Sequence, residues 1–506
     1  MSLEGALGIA SGGLANIGLG FTVISQNVAN AATPQYALES ASQQSLSAGG
    51  QEDGVQPGLV LRSTDPALQA QLSGATAQNA AAQTTSAALA IIDGALGSVG
   101  ESNDLGSQLT SVQSAFSTLL NDPDNAADQQ SVVQAATTMA AGINALSATY
   151  AATRQTAEDN LVSAVGQLNT ALAAMGTLSA QIVSLQAQGQ STADLQNQRD
   201  QVENTISGLI DVSFVPQPDG DVTVFSAGGA QLPTDGGTPL SIQADQVGST
   251  TYYPGGGIGG IMLGGTDITA QLTGGSIGAN ITLRDQTLPA YQASLDEFAQ
   301  TLSSRFAAQG LTLFSNPDGT IPQGGGTPAQ AGYVGYSSTI GVNPAVSADP
   351  ALVRDGTQDI AGSPTGASAF TTNSAGLAGF TTLITRVLNY ALGSQVQDGV
   401  PQTPIAVSGL GPSGTLSSGY AAQVTLGDDA DALTASQAND SAAASSEATD
   451  SQAVQTSLQT KLTGQTGVSM DTELGDMVTL QNAYGANAKV ISTIQAMFAD
   501  TLAMVQ

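Results

Sequence analysis

The chain has 506 residues, carries 40 Asp and Glu against 9 Lys and Arg for a formal charge of −31, and contains neither Cys nor His. Without Cys there is no disulfide framework or thiolate site, and without His there is no Ser-His or Cys-His nucleophile system and no HExxH zinc site. A field this negative repels phosphate backbones and anionic lipid, which speaks against nucleic-acid binding, and its simplest consequence is solubility.

Residues 1–31 set Leu3, Leu7, Ala10, Leu14, Ile17, Phe21, Ile24, Val28 and Ala31 in 4-3 alternation, the seam of a coiled coil. Gly5, Gly8, Gly12, Gly13, Gly18 and Gly20 lie inside the same stretch, each costing about 1 kcal/mol relative to Ala, so the helix is marginal on its own. It carries no charge after Glu4 and stops at "SQNVANAATPQY", where Asn27, Asn30 and Thr33-Pro34 favour a helix end and a turn. The opening "MSLEGALGIASGG" has no basic region ahead of an apolar core, so the expected export route is one that reads no cleaved signal peptide. No run approaches the roughly 18 apolar residues of a membrane helix, so no membrane span is expected.

Residues 64–96 read as a helix with Asp65 and Pro66 at its cap and first turn, and residues 121–188 as one long helix opened by Asp122 and Pro123. A helix of that length reaches about 90 Å, which belongs to a rod or bundle. Near residue 211 the character changes: "DVSFVPQPDGDVTVFSAGG" sets two β-branched runs around Pro218-Asp219-Gly220, a hairpin signal, and Gly- and Thr-rich strand-like sequence continues to about 283. Then come a helix over 288–309, an irregular Gly/Pro-rich stretch to about 345, short helices at 376–392, strand-rich sequence at 400–427 and helical composition over 432–462. In the last 37 residues Met470, Leu474, Met477, Tyr484, Ala488, Ile491, Phe498, Leu502 and Val505 resume the seven-residue repeat.

This order predicts a multidomain α+β protein, elongated, with a long α-helical bundle or coiled-coil trunk formed by both chain ends and inserted antiparallel β domains. The expected units are 1–60 and 465–506, the two halves of a terminal coiled-coil assembly domain; 61–210, a helical trunk; 211–283, an inserted β domain; 284–394, return helices with an irregular loop; 395–430, a small strand-rich insertion; and 431–464, a trunk helix. Uncharged, Gly-weakened ends suit burial in an assembly better than exposure in a free protein.

Catalytic and metal chemistry find little support. "NDPDNAAD" and "GDDADA" contain paired acids but lack the Gly and Glu positions of an EF-hand loop. "GGGIGG" is followed by no Lys-Ser/Thr and sits in no βαβ unit, so it is not a phosphate-cradling loop. Carboxylates alone could hydrolyse glycosides, yet nothing marks a pair, and a chain without Trp offers little to stack on sugars. No enzyme activity, cofactor or metal is expected.

Taken together, the ends resemble a known family. "SQNVANAATPQY" resembles the Ser-x-Asn-(Ile/Val)-Ala-Asn…Thr-Pro-Gly-Tyr signature of the rod, hook and hook-associated axial proteins of the bacterial flagellum, carried here by Ser25, Asn27, Ala29, Asn30, Thr33, Pro34 and Tyr36. "ELGDMVTLQNAYGANAKVISTIQAMFADTLAMV" is similar to that family's C-terminal end. "RSTDPALQAQL", "LQNQRDQVENTISGLIDVSFVPQPDGDVTVF" and "GGSIGANITLRDQTLPAYQASLDEFAQTL" narrow the resemblance to the hook-associated protein 1 family, which stands first at the hook–filament junction. One departure is Gln35 where the signature has Gly; a type II turn wants Gly there, so a type I reversal of altered geometry is expected.

The resemblance implies a structural adaptor whose termini stay unfolded until assembly, then pair. The expected interface is Leu3, Leu7, Leu14, Ile17, Phe21, Ile24 and Val28 with Leu474, Met477, Tyr484, Ala488, Ile491, Phe498 and Leu502. It further implies as partners the hook protein, the second hook–filament junction protein, further copies of the chain in a ring, and a cytoplasmic export chaperone at the C-terminal heptads, with secretion to the flagellum. Alternatives are another axial subunit, hook or flagellin-like, and a secreted acidic adhesin or calcium-binding β protein.

Overall fold

A computed structural model describes residues 3–48, 51–97, 104–325 and 327–505. The first helix, α1 (Leu3–Asn30), is followed by a long antiparallel hairpin, β1 (Glu39–Ala48) with β2 (Gln51–Arg62). This hairpin is not among the expected elements, because Ser, Gln and Gly dominate its strands and the β-branched signal is thin. Register shifts at Ala41/Gln43 and Leu46/Ser47 bend it.

The trunk follows. Helix α2 (Pro66–Leu96) opens as expected, with Asp65 accepting from the Leu68 amide at 3.0 Å and Pro66 at the first position. After α3 (Leu105–Leu119) comes α4 (Ala126–Ala187), 62 residues in one helix and so about 93 Å long. Its cap is not Asp122-Pro123 but Asn125, which accepts from the amides of Ala127 (2.9 Å) and Asp128 (3.4 Å). Asp122 and Pro123 form the turn before it, where the Asp122 carbonyl accepts from the Asn125 amide. Helix α5 (Ala193–Leu209) returns along α4.

The β region is small. Strands β3 (Val212–Pro216), β4 (Val222–Ser226) and β5 (Gln231–Leu232) form one antiparallel sheet in that order, with the expected turn at Pro218-Asp219-Gly220. β6 (Met262–Leu263) and β7 (Thr266–Asp267) make a minimal hairpin. Strand-like sequence was expected to about 283, yet α6 (Gly275–Thr282) is helical and runs through one π turn into α7 (Leu288–Ala308). The glycines that suggested strand there serve the turn instead: Gly274 and Gly275 have φ of 67° and 58°.

Beyond α7 the chain makes β8 (Phe314–Ser315) with β9 (Gly341–Val342), the short helices α8 (Pro344–Ala348), α9 (Leu352–Asp355) and α10 (Thr382–Arg386), and two small hairpins. These are β10 (Gln395–Gln397) with β11 (Val400–Pro401), and β12 (Ser408–Leu410) with β13 (Leu416–Ser417). Two long helices close the chain, α11 (Leu426–Thr466) and α12 (Met470–Val505).

Two apolar cores hold this together. The larger joins α3, the first half of α4, α7 and the start of α11, with Phe116, Phe298, Phe306 and Phe314 all fully buried. Phe306 and Phe314 meet edge to face at 5.6 Å. The smaller packs Leu161, Leu168 and Met175 of α4 under the β sheet through Val224 and Leu232. By contrast, the far end of the α2–α11 pair is held by only Leu68, Leu72 and Leu462, supplemented by amide contacts such as Asn79 to Gln455 at 2.7 Å.

Two helices hold a membrane-length window more apolar than expected from the sequence. By length and composition α1 and α4 could each cross a membrane, since Ala and Gly without charge raise hydropathy without bulky side chains. In each, a third of the most apolar window is buried within the fold.

The seven arginines all point inward. Arg284 pairs with Glu158 (2.7 Å) and Asp285 (2.8 Å), and Arg154 donates to the carbonyls of Arg284, Gly248 and Thr251. Arg62 pairs with Asp200, Arg354 with Asp124 and Asp355, and Arg199 donates to Gly220 O. Arg305 and Arg386 donate to carbonyls of Val424 and Ser368 among others.

Candidate assembly site

Helix α1 is gripped on two sides. On one lies the β1–β2 hairpin, on the other α12. Its glycines make both approaches possible. A Cβ at Gly12 would collide with the Val55 carbonyl of the hairpin, and one at Gly20 would stand 2.8 Å from the Leu480 side chain of α12. The Gly-weakened helix is thus a close-packed one, in which propensity is traded for contact.

The signature asparagine, Asn27, is the centre of the joint between this terminal unit and the trunk. It is 1% exposed and all its polar atoms are used. Its side-chain amide donates to Glu39 O (2.8 Å) and to Glu473 Oε2 (3.1 Å), and its carbonyl accepts from the Glu39 amide (3.1 Å) and the Tyr36 hydroxyl (3.3 Å). One side chain therefore fastens α1, the turn after it, the hairpin and the first turn of α12.

A second asparagine carries the joint into the trunk. Asn197 of α5 accepts from the Ala37 amide (3.2 Å) and Arg62 Nε (2.9 Å), and donates to Ala37 O (3.2 Å) and Glu39 Oε1 (2.8 Å). Leu38 N adds a bond to Thr466 O at 2.7 Å, where α11 gives way to α12.

Gln35 contradicts the altered-turn expectation. Its φ is +60°, the left-handed region, and the Tyr36 amide donates to Thr33 O at 3.3 Å with Pro34 at the second turn position. The type II geometry is kept and Gln takes on the strain, held by a bond from its amide to Asn204 Oδ1 at 2.8 Å.

Comparison with known proteins bears on what such a unit is for. Residues 89–321 match the family model described as the flagellar hook-associated protein FlgK helical domain, and residues 464–504 match the flagellar basal body rod FlgEFG protein C-terminal model. By these two matches the chain is similar to the hook-associated and rod proteins of the flagellum. The proteins of the hook-associated family are structural components of the flagellum. No curated protein matches it. Among solved structures it is similar to the flagellar hook junction protein FlgK from Burkholderia pseudomallei, with 24% identity over 50% of this chain and 45% of that one and a TM-score of 0.41.

The sequence-derived residues divide unevenly. On α1, Ile17 and Ile24 are buried and Leu3, Leu7, Leu14, Phe21 and Val28 half-buried. On α12, Met477, Ile491 and Phe498 lie half-buried, whereas Leu474, Tyr484, Ala488 and Leu502 are exposed. The inward positions are instead Glu473, Met477, Leu480, Asn487, Ile491, Ile494 and Phe498, a face turned by about one residue from the expected seam. The physical reason lies in α1, which presents Gly13 and Gly20 and the polar Asn27; α12 turns Asn487, Leu480 and Glu473 toward them. Bulky apolar side chains are also left exposed around α12, among them Leu474, Val478, Tyr484, Val490, Met497 and Leu502, each roughly half exposed or more.

Of the N-terminal motif, Asn27 and Tyr36 are buried, Asn30 and Thr33 half-buried, and Ser25, Ala29 and Pro34 exposed. Ser25 bonds back to Phe21 O at 2.7 Å, and the Asn30 carbonyl accepts from the Thr33 amide at 2.8 Å to start the turn. Sequence reasoning missed Glu39, Arg62, Asn197, Asp200 and Glu473. Asn197 and Asp200 lay inside the quoted "LQNQRDQVE", so a signal was present without an assigned role.

The joint is electrostatically tense. Burial, followed by repulsion from Asp194, raises Glu39 above the usual carboxylate range against the Asn197 bond. Tyr36 is pushed up to about 12 by burial and by Glu39. Burial and then Asp200 raise Glu203 to about 7, while Arg199 and Arg62 act the other way. The acids here bind asparagines and arginines of the fold, and among the described residues no group of three or more acids is placed to hold a metal ion.

Proposed function

We propose that this protein is a non-enzymatic structural adaptor that joins the flagellar hook to the filament, added at the distal hook end through α1 and α12. The observation that carries the reading is the set of exposed apolar side chains on α12, in a chain similar to the hook-associated proteins. Half-exposed Leu474, Tyr484 and Leu502 gain little in a lone chain, and burial of each is worth roughly 1–2 kcal/mol when a neighbour covers it. The back of α1 supplies a fitting surface. Gly8, Ser11, Ala15, Gly18, Thr22 and Ser25 form an exposed stripe of small residues in 3-4 spacing, open to bulky side chains from another copy.

In this reading the termini complete their burial only against hook subunits and further copies in a ring. The trunk then presents a surface to the second junction protein. Before export the same α12 side chains are the docking site for a cytoplasmic chaperone, which keeps them from self-association. The units 1–60 and 465–506 act as one assembly domain.

The test is a clean gene deletion with electron microscopy of the cells and an assay of filament protein in the medium. Hooks of normal length without filaments, and subunits leaking out, are expected. Intact filaments would refute the role, and missing hooks would move the protein inward to the hook or rod. For the surface, Leu474→Asp should leave the isolated protein folded yet block incorporation at the hook tip; normal junctions in that variant would remove the exposed α12 side chains from the interface.

A further inference from the structure

Away from the terminal unit, a buried carboxylate has no place in the assembly role. Asp429, in the first turn of α11, is fully buried, and its oxygens have no well-formed hydrogen bond, the Tyr420 hydroxyl being the donor beside them. Around it stand Glu297 and Arg305 of α7 and Tyr420, just before α11. Arg305 is the neighbouring cation, yet two of its nitrogens are spent on the carbonyls of Val424 (2.7 Å) and Thr403 (3.1 Å). Glu297 accepts from the Tyr333 hydroxyl at 2.6 Å. Ile405, buried against the larger core, is tied to Gln423 O by its amide at 2.8 Å.

The two Arg305 bonds and the burial of Ile405 fasten the small insertion, residues 395–425, to the trunk, and the Ile405–Gln423 bond closes it on itself. Two carboxylates and one guanidinium share a water-poor space, so a charge on Asp429 stands next to Glu297 with little beyond the Tyr420 hydroxyl to donate to it. We propose that the insertion is held by a proton-dependent latch, closed when Asp429 is neutral and loosened when it ionises. The other titratable groups facing it are Tyr420 from the insertion, Tyr150 from α4 and Tyr333 beside Glu297; on its own helix, Asp428 and Asp431 lie on either side. Burial first, then Glu297, pushes the Asp429 carboxyl up to about 7, with Arg305 and Tyr420 acting in the opposite direction.

The direction follows from linkage. The closed state holds its proton up to about pH 7, whereas an exposed aspartate loses it near 4, so closure weakens as pH rises through that window and levels off above it.

Hydrogen exchange on the full-length protein reads this directly, as protection factors of amides in 395–425 corrected for the intrinsic pH effect. Wild type should lose on the order of a hundredfold in protection between pH 5 and pH 8. Asp429→Asn should keep the pH 5 protection at pH 8. Tyr420→Phe, which removes a group that favours ionisation, should move the midpoint upward and decides the matter if the first variant does not fold. Equal pH dependence in wild type and Asp429→Asn, or an unmoved midpoint in Tyr420→Phe, overturns the latch.

Discussion

The trunk core and the terminal unit are stabilised by different means. In the trunk, α3, α4, α7 and α11 bury Phe116, Phe298, Phe306 and Phe314 together with Leu and Ile side chains that see no water. In the terminal unit, the buried apolar side chains of α1 are Ala10, Ile17, Val23 and Ile24, and α12 adds Ile494. There, glycine contacts and the Asn27 hub take the place of bulk. The difference teaches that one region is finished within a single chain, while the other is shaped correctly but underfilled. Underfilled shape is what a subunit needs if its neighbours are to complete the packing.

The comparison can be broken by unequal responses to mutation. The largest effect belongs to Phe298→Ala, which should cost about 3–5 kcal/mol in urea unfolding of the trunk; a loss near zero would mean that the trunk does not depend on its aromatic core. Asn27→Ala removes the joint's hub and leaves Glu39 and Glu473 short of donors, so a loss of up to about 3 kcal/mol is expected. Hydrogen exchange should place that loss in α1, the hairpin and α12, with trunk amides unchanged. Gly12→Ala gains about 1 kcal/mol of helix propensity and sets a methyl group against the Val55 carbonyl, an overpacking cost of about 1–3 kcal/mol. A net loss near 1 kcal/mol, confined to the hairpin contact, would sharpen the reading of the glycines as packing residues.

Acid chemistry sharpens it at the joint. Because Glu203 sits at about 7 when folded and near 4 when unfolded, the folded form binds the extra proton between those values. Joint stability should therefore fall as pH rises from about 4 to 7, and Glu203→Gln should flatten that slope in pH-resolved urea titrations. The smallest effect is Gln35→Gly. It relieves about 1–2 kcal/mol of left-handed strain, loses the bond to Asn204 and frees the unfolded chain, leaving a gain below about 1 kcal/mol. Gln35→Ala, which keeps the strain without the bond, should be less stable than either; the reverse order in thermal melts would contradict the turn assignment.

Much of the architecture was legible because it follows periodicity. The 62-residue α4, the Asp65-Pro66 start of α2 and the turn at Pro218-Asp219-Gly220 each rest on local chemistry that neighbours did not override. The β1–β2 hairpin was not legible, since its strands are stabilised by α1 and not by β-branched residues of their own. The facing surface of α12 was read one residue out, because a heptad rule assumes bulky partners and α1 offers glycine and asparagine. Asn27 stood out in the sequence, but as a helix stop. That it binds a glutamate 446 positions away could not follow from local pattern.

The inward turn of all seven arginines has a consequence for crowds of these molecules. With Arg62, Arg154, Arg199, Arg284, Arg305, Arg354 and Arg386 spent inside, the outer face of a chain of charge −31 is left almost wholly of one sign. Two such bodies meeting in solution push each other away within a screening length of about 8 Å at physiological salt. A sticky α12 is therefore carried on a particle that its own kind avoids. That repulsion opposes aggregation of free copies, so a contact between two of them holds only if it lasts long enough for side chains to interlock.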